Sequence, residues 1–176
     1  MSSPVFVPYT NVRQENEYWC WAAVASNVFN ALFPTVPPMN QCQVAQAAGQ
    51  TCALPNEFSL VLALNGTPSG PGLHIFHDKS TDAALFYALI LSELTSQRPV
   101  SAEVDFPDLV HFVAITGADP STVSVWVADP FLGGDSVEFA YDAFRENYYF
   151  TDSDSSQGEE TNGIVEALIV VNAGSS

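Results

Sequence analysis

The chain has 176 residues, 47% of them hydrophobic and only 14% charged, a composition that fits one folded domain with a sizeable core and excludes a disordered chain. Twenty acidic residues face four basic ones, Arg13, Lys79, Arg98 and Arg145, for a net charge of −16. Four scattered cations cannot replace the counterions of a nucleic acid, an anionic membrane surface would repel this chain, and no apolar run approaches the ~20 residues of a membrane span.

Residues 4–19 read as extended and polar, with Pro4 and Pro8 opposing helix. A helix is expected over 20–33, where Trp21, Val24, Val28, Ala31 and Leu32 recur at helical spacing; Pro34, Pro37 and Pro38 stop it. A second helix is expected over 40–49. A third runs over 57–64, capped by Asn56. The Gly- and Pro-rich stretch 65–72 is a loop, and a fourth helix covers 82–96. The character then changes. Residues 100–104, 109–116, 123–128, 136–141 and 164–171 read as strands, with a turn at 118–121 and an acidic Ser/Gly-rich loop over 151–163. Helices first and strands second predict an α+β fold, a helical layer (1–98) packed against a mostly antiparallel sheet (99–176) in one domain spanning 1–176.

Three cysteines are present, Cys20, Cys42 and Cys52. An odd count suits one pair plus one working thiol. Cys42 and Cys52 flank a short helical stretch that Gly49 can end, letting the chain fold back. They are expected either to form a disulfide, which would place the protein in an oxidising compartment, or to stay as two buried thiols.

Cys20 stands at the junction between the polar segment Gln14-Glu15-Asn16-Glu17-Tyr18-Trp19 and the apolar helix. The nucleophilic form of cysteine is the thiolate, and both the positive end of a helix and a nearby imidazolium stabilise that form. The first helix offers the one. His111, in the apolar strand Val110-His111-Phe112-Val113-Ala114-Ile115-Thr116-Gly117, offers the other. Asp129 ends the next strand, where Pro130 stops the ladder, and a carboxylate there can fix the imidazole tautomer. Gln14 would aim its amide N–H at a developing oxyanion beside the backbone N–H of Cys20. A lone buried Cys, a lone strand His or an Asp before Pro is each usually structural. All in catalytic order, they point to a thiol hydrolase.

The segment from Gln14 through five residues to Cys20-Trp21-Ala22-Ala23 resembles the papain-like cysteine proteases, above all the compact bacterial group that includes avirulence effectors of plant pathogens. The His111 strand resembles theirs. Asp129-Pro130-Phe131-Leu132-Gly133-Gly134 is similar to a segment shared with bacteriocin leader peptidases. The resemblance covers about 8–145. It implies a papain-like fold with the active-site cleft between the layers, Gln14 in the oxyanion hole, Cys20 as nucleophile, His111 as base and Asp129 as orienter. It implies a monomeric cysteine peptidase acting on a protein or peptide through a thioester, without a cofactor. The same machinery also serves amidases, deamidases and acyltransferases, and a decayed site would leave only a binding module.

Trp19 and Trp21 flank the thiol and are expected in the core or lining the substrate cleft. His74 and His77 beside Asp78 suit metal binding poorly, because on a strand i and i+3 face opposite sides. Residues 152–156 begin like a calcium loop but lack its Gly and Glu. No metal is expected. Met1-Ser2-Ser3-Pro4 has neither the basic start nor the apolar stretch of a secretory signal. The reading favours a secreted or exported protein whose signal or pro-segment is absent from this chain, with a cytoplasmic one left open.

Overall fold

The computed structural model describes residues 3–52, 60–66, 83–149 and 162–171. In chain order the elements are β1 (Val5–Phe6), α1 (Cys20–Leu32), α2 (Gln41–Ala47), α3 (Leu60–Gly66), α4 (Ala83–Thr95), β2 (Val100–Phe106), β3 (Leu109–Asp119), β4 (Ser124–Ala128), β5 (Val137–Ala140), α5 (Tyr141–Glu146) and β6 (Ile164–Ile169). The fold is α+β, as expected.

Helix α1 is largely apolar and enclosed by the protein, and its polar residues Ser26, Asn27 and Asn30 are hydrogen-bonded to backbone carbonyls. Its first ten residues, through Phe29, are all buried. Alanines 22, 23 and 25 leave room for its neighbours to approach. Helix α2 begins with a reciprocal capping box. The Asn40 side chain accepts from the Gln43 N–H, and the Gln43 side chain accepts from the Asn40 N–H. Just past its end, Gly49 takes a left-handed φ of 76°. This turns the chain back so that Cys52 meets Cys42 in a disulfide, with Cα atoms 5.1 Å apart.

The five longer strands form an open antiparallel sheet in the order β5-β4-β3-β2-β6. Strand β1 is the sixth. It pairs with β3 at Gly117 and Ala118, beyond Ile115 where the β2 pairing ends. A Cβ on Gly117 would come well inside van der Waals contact with a Phe6 ring carbon, so glycine lets Phe6 of β1 lie there without the ring having to move. Alternating side chains sort to two cores. Val113, Ile115, Val100, Ala102 and Leu168 pack with α4 and α5. Phe112, Ala114, Ala128 and Ile169 pack with α1, α2 and α3.

The expected helical layer is therefore divided. Helices α1–α3 cover one face of the sheet and α4 covers the other, joined there by α5, which the sequence reading did not anticipate. The reason is that α4 is followed directly by β2, and the apolar face of the sheet opposite α1 has to be covered too. The Asn56 cap, most of the 65–72 loop, His74, His77, Asp78 and residues 152–156 lie outside the described residues.

The surroundings of His111 are set by where two strands part. Strand β4 stops pairing with β3 at Ala114↔Ala128. The stretch of β3 that carries His111 has β2 on one side, at Val104↔His111, and no β4 on the other.

The disulfide closes a loop of about ten residues, a span for which chain-entropy arguments give about 2–3 kcal/mol. The double variant Cys42→Ala/Cys52→Ala is expected to lose about that much unfolding free energy in urea titrations, at unchanged far-ultraviolet circular dichroism. Mass mapping of the unreduced protein is expected to find Cys42 and Cys52 resistant to alkylation.

Candidate active site

Cys20 is the first residue of α1, and it is 6% exposed. The residue before the helix, Trp19, makes no side-chain capping bond, and the first turn holds no acidic residue. A first-turn amide has no acceptor within its own helix, so the backbone N–H of Cys20 faces outward from the helix end, with the positive pole of the helix behind it. The chain reaches this point through Tyr18, whose φ of 63° is left-handed. Such a conformation in a non-glycine residue is uncommon and persists only where its surroundings hold it. Here Trp19, buried to 1%, anchors the following residue in the core.

Two segments, the Asp129–Pro130 turn and α2, hold the loop that carries Gln14. The backbone N–H of Gln14 donates to Pro130 O at 2.7 Å. The side chain of Gln41, from α2 and 1% exposed, accepts from the Glu15 N–H at 2.9 Å and donates to Arg13 O at 2.7 Å, gripping the loop on either side of Gln14. The Asn11 amide donates to the Asp129 carbonyl at 2.9 Å. Gln14 itself donates one amide N–H to Asn16 O at 3.1 Å. A primary amide carries two such protons.

His111 is 5% exposed, and its Nε2 lies 2.9 Å from Oδ1 of Asp129. It also shares a hydrogen bond with the Cys20 side chain. With Nε2 engaged by the carboxylate, Nδ1 is the nitrogen that turns to sulfur. Burial by itself would push the imidazole pKa down. The charge and hydrogen bond of Asp129, then the hydrogen bond and charge of Cys20, overcome this and hold it up at about 10. Burial likewise opposes the charge on Asp129, yet the carboxyl pKa is lowered, chiefly by the charge and hydrogen bond of His111, then by Tyr148 and the Phe131 amide. Both directions describe one buried imidazolium–carboxylate pair.

Both carboxylate oxygens of Asp129 are hydrogen-bonded. Oδ1 also accepts from the Phe131 N–H at 2.8 Å, the turn-forming role that an Asp before Pro usually has. Oδ2 accepts from the Tyr148 hydroxyl at 2.7 Å. The tyrosine is 1% exposed and its own pKa is driven well above the usual tyrosine range, first by burial and then by the facing carboxylate. Reciprocal backbone bonds with Gly163, at 2.9 and 2.8 Å, fix it in place, and the rings of Phe139 and Phe144 pack on it.

Cys20, His111 and Asp129 are thus brought together from α1, β3 and the end of β4, and Gln14 is tied to the same turn through Pro130. Trp19 and Trp21 are different. Each is 1% exposed, their rings 6.2 Å apart within the core of α1–α3. Of the two expectations held for them, the core position is the one their burial shows. Two contributors escaped the sequence reading, Tyr148 and Gln41. No motif marks either; Tyr148 lies in an aromatic run after an unforeseen helix, and Gln41 resembles any polar helix residue. Among the described residues no group of three or more His, Cys, Asp and Glu is placed to hold a metal. No described helix is long and apolar enough to cross a membrane.

No protein-family model matches the chain, and no curated protein matches it.

The buried pair ties stability to pH. Folded His111 keeps its proton to about pH 10, whereas the unfolded residue loses it near 6.5, so folding binds a proton between these values and stability falls as pH rises through them. Folded Asp129 stays ionised below its unfolded range near 4, so its contribution is lost as pH falls through the lowered folded value. The stability gap between the native chain and Asp129→Asn, from urea midpoints, is expected to be widest between about pH 4 and 6.5 and to narrow towards pH 10.

Tyr148→Phe keeps the ring and strands Oδ2 without a donor. The cost is expected to be about 1–3 kcal/mol in urea unfolding, as for other buried polar groups left unpaired. Loss of a bond that lowers the Asp129 pKa raises it, so the acid-unfolding midpoint is expected to move to higher pH. An unmoved acid limb would show that the hydroxyl does not support the carboxylate.

Proposed function

We propose that this chain is a papain-like cysteine peptidase that hydrolyses peptide bonds through a Cys20-His111-Asp129 triad, in a cleft where the N-terminus of α1 meets the open edge of β3. The observation that carries the reading is the continuous buried chain from the Cys20 thiol through His111 to Asp129, with the imidazole held in its charged form. A core histidine with a merely structural role needs neither a thiol on one ring nitrogen nor a carboxylate on the other.

In this reading the Cys20 sulfur attacks the scissile carbonyl carbon, and the carbonyl electrons move onto oxygen. The backbone N–H of Cys20 and the second amide N–H of Gln14 stabilise that oxyanion. As the tetrahedral intermediate collapses, the C–N bond breaks and His111 gives its proton to the leaving amine, leaving a thioester on Cys20. A water molecule then loses a proton to His111 and adds to the thioester. Collapse expels the sulfur, releasing the carboxylic acid product and returning Cys20 and His111 to their starting state. Asp129 keeps the imidazole oriented and stabilises its charge throughout. The Cys42–Cys52 disulfide supports a secreted or exported protein, since such bonds persist in oxidising compartments. The net charge of −16 supports a peptide or protein substrate over a nucleic acid.

The test is cleavage of casein and a synthetic peptide library, read by mass spectrometry, beside hydrolysis of peptidoglycan and labelling by a thiol-directed epoxide. Peptide cleavage is expected, with label on Cys20. Cys20→Ala is expected to abolish turnover at unchanged stability, and Gln14→Ala to lower kcat by roughly ten- to a thousandfold with little change in KM. Labelling without peptide cleavage would move the reading to another amide, and no labelling would leave a binding module.

A further inference from the structure

Gln14 lies in a stretch that packing does not hold. Val12, Arg13, Glu15, Glu17 and Tyr18 are all exposed, and residues 7–19 form neither helix nor strand. Such a stretch keeps one shape only through the hydrogen bonds of its backbone. Gln41 supplies two of them from a single amide, accepting the Glu15 N–H at 2.9 Å and donating to the Arg13 carbonyl at 2.7 Å. The Arg13 carbonyl belongs to the peptide group before the Cα of Gln14, and the Glu15 N–H to the peptide group after it. The first of these groups is held at its other end too, where the Gln14 N–H donates to Pro130 O at 2.7 Å. Peptide groups are planar, so fixing both planes fixes φ and ψ of residue 14 and with them the direction of its side chain.

The side chain is directed in turn. The Gln14 amide donates to Asn16 O at 3.1 Å, and the same carbonyl accepts from the Trp19 N–H at 3.2 Å, one residue before Cys20. One shared acceptor therefore links the Gln14 amide to the start of α1. Glutamine suits the grip at position 41, because its planar amide carries a donor and an acceptor and meets one carbonyl and one N–H as a neighbouring strand would. Gln41 stands on a fixed base. It is 1% exposed, the capping box holds the start of α2, and Val44 and Ala45 bury the helix in the core around α1. A donor aimed in advance stabilises an oxyanion without reorganising during the reaction, and small misplacements of such groups cost large factors in rate.

We propose that Gln41 is the positioning residue of the oxyanion hole, touching no substrate and acting on the reaction through the aim of the Gln14 amide. The inference rests on the peptidase reading and on the role of Gln14 within it. The experiment is a double-mutant cycle on a peptide that the protein cleaves, with Gln41→Met, Gln14→Ala and the two combined, beside the rate at which iodoacetamide alkylates Cys20. Methionine keeps the length of the side chain and removes both bonds. Gln41→Met is expected to lower kcat by roughly five- to fiftyfold, with KM changed by less than about twofold. In the Gln14→Ala background the same change is expected to alter kcat by less than about twofold, because the group that Gln41 aims is gone. Alkylation displaces iodide without forming an oxyanion, so its rate in Gln41→Met is expected to equal the native rate, which a general loosening around α1 would not allow. Gln41→Glu keeps the acceptor for Glu15 and loses the donor to Arg13, and it carries the same cycle if the methionine variant does not fold. Losses that multiply in the cycle, a kcat that neither single change lowers, or alkylation slowed as much as kcat would overturn the positioning role and leave the peptidase reading standing. Native protein that labels at Cys20 yet cleaves no peptide would sink the peptidase reading, and the positioning role with it.

Discussion

A carboxylate that is 4% exposed has to be paired, because an isolated buried charge is far more costly than any single bond in the fold can offset. Asp129 meets that demand with an imidazole, a phenol and a backbone amide. These donors come from β3, from the segment after α5, and from its own turn. The carbonyl of the same residue takes the Asn11 amide, and the neighbouring Pro130 carbonyl takes the Gln14 N–H. One charge in one turn therefore draws together parts of the chain as far apart as residues 11 and 148. The end of β4 at Ala128 leaves the space for them, since a strand that continued beside His111 would occupy it.

The same economy of fixed points governs the segment before Cys20. It has little regular structure, and an irregular loop keeps a defined shape only if its backbone groups are bound elsewhere. Gln41 does this from α2, whose start is fixed by the Asn40–Gln43 capping box and whose first turn is tied to the segment beyond Gly49 by the Cys42–Cys52 bond. Mechanical support thus passes from the disulfide through α2 to the loop of Gln14. Tyr18, held in a left-handed conformation at a cost of order 1–3 kcal/mol, makes the bend that lets α1 start at Cys20.

The charge distribution fits this arrangement. The chain carries −16 overall, yet the first turn of α1 contains no acidic side chain. Distant surface carboxylates act on the pair weakly, because ordinary salt screens exposed charges beyond about 8 Å. The surface can then be strongly acidic while the buried chemistry keeps its own balance.

Much of this was legible in the sequence. Apolar periodicity and proline stops placed α1, α2, α4 and five of the strands to within a few residues, because these signals are local. The order of Cys20, His111 and Asp129, and the spacing of Gln14, suggested a site because each residue type has one chemical role to play there. The disulfide was one of two open alternatives, and the left-handed turn at Gly49 decided it. Other features had no local signature. That α4 crosses to the opposite face of the sheet from α1 depends on which apolar faces remain to be covered after the strands have paired. That Trp19 and Trp21 are core residues depends on what lies above them, and the partnership of Tyr148 with Asp129 joins residues 19 apart through an unforeseen helix. Residue types and their local spacing set which groups could do the chemistry and which segments could be helix or strand. Which polar atoms meet was settled in three dimensions, since burial and hydrogen bonding are fixed between distant segments once the backbone has closed around them.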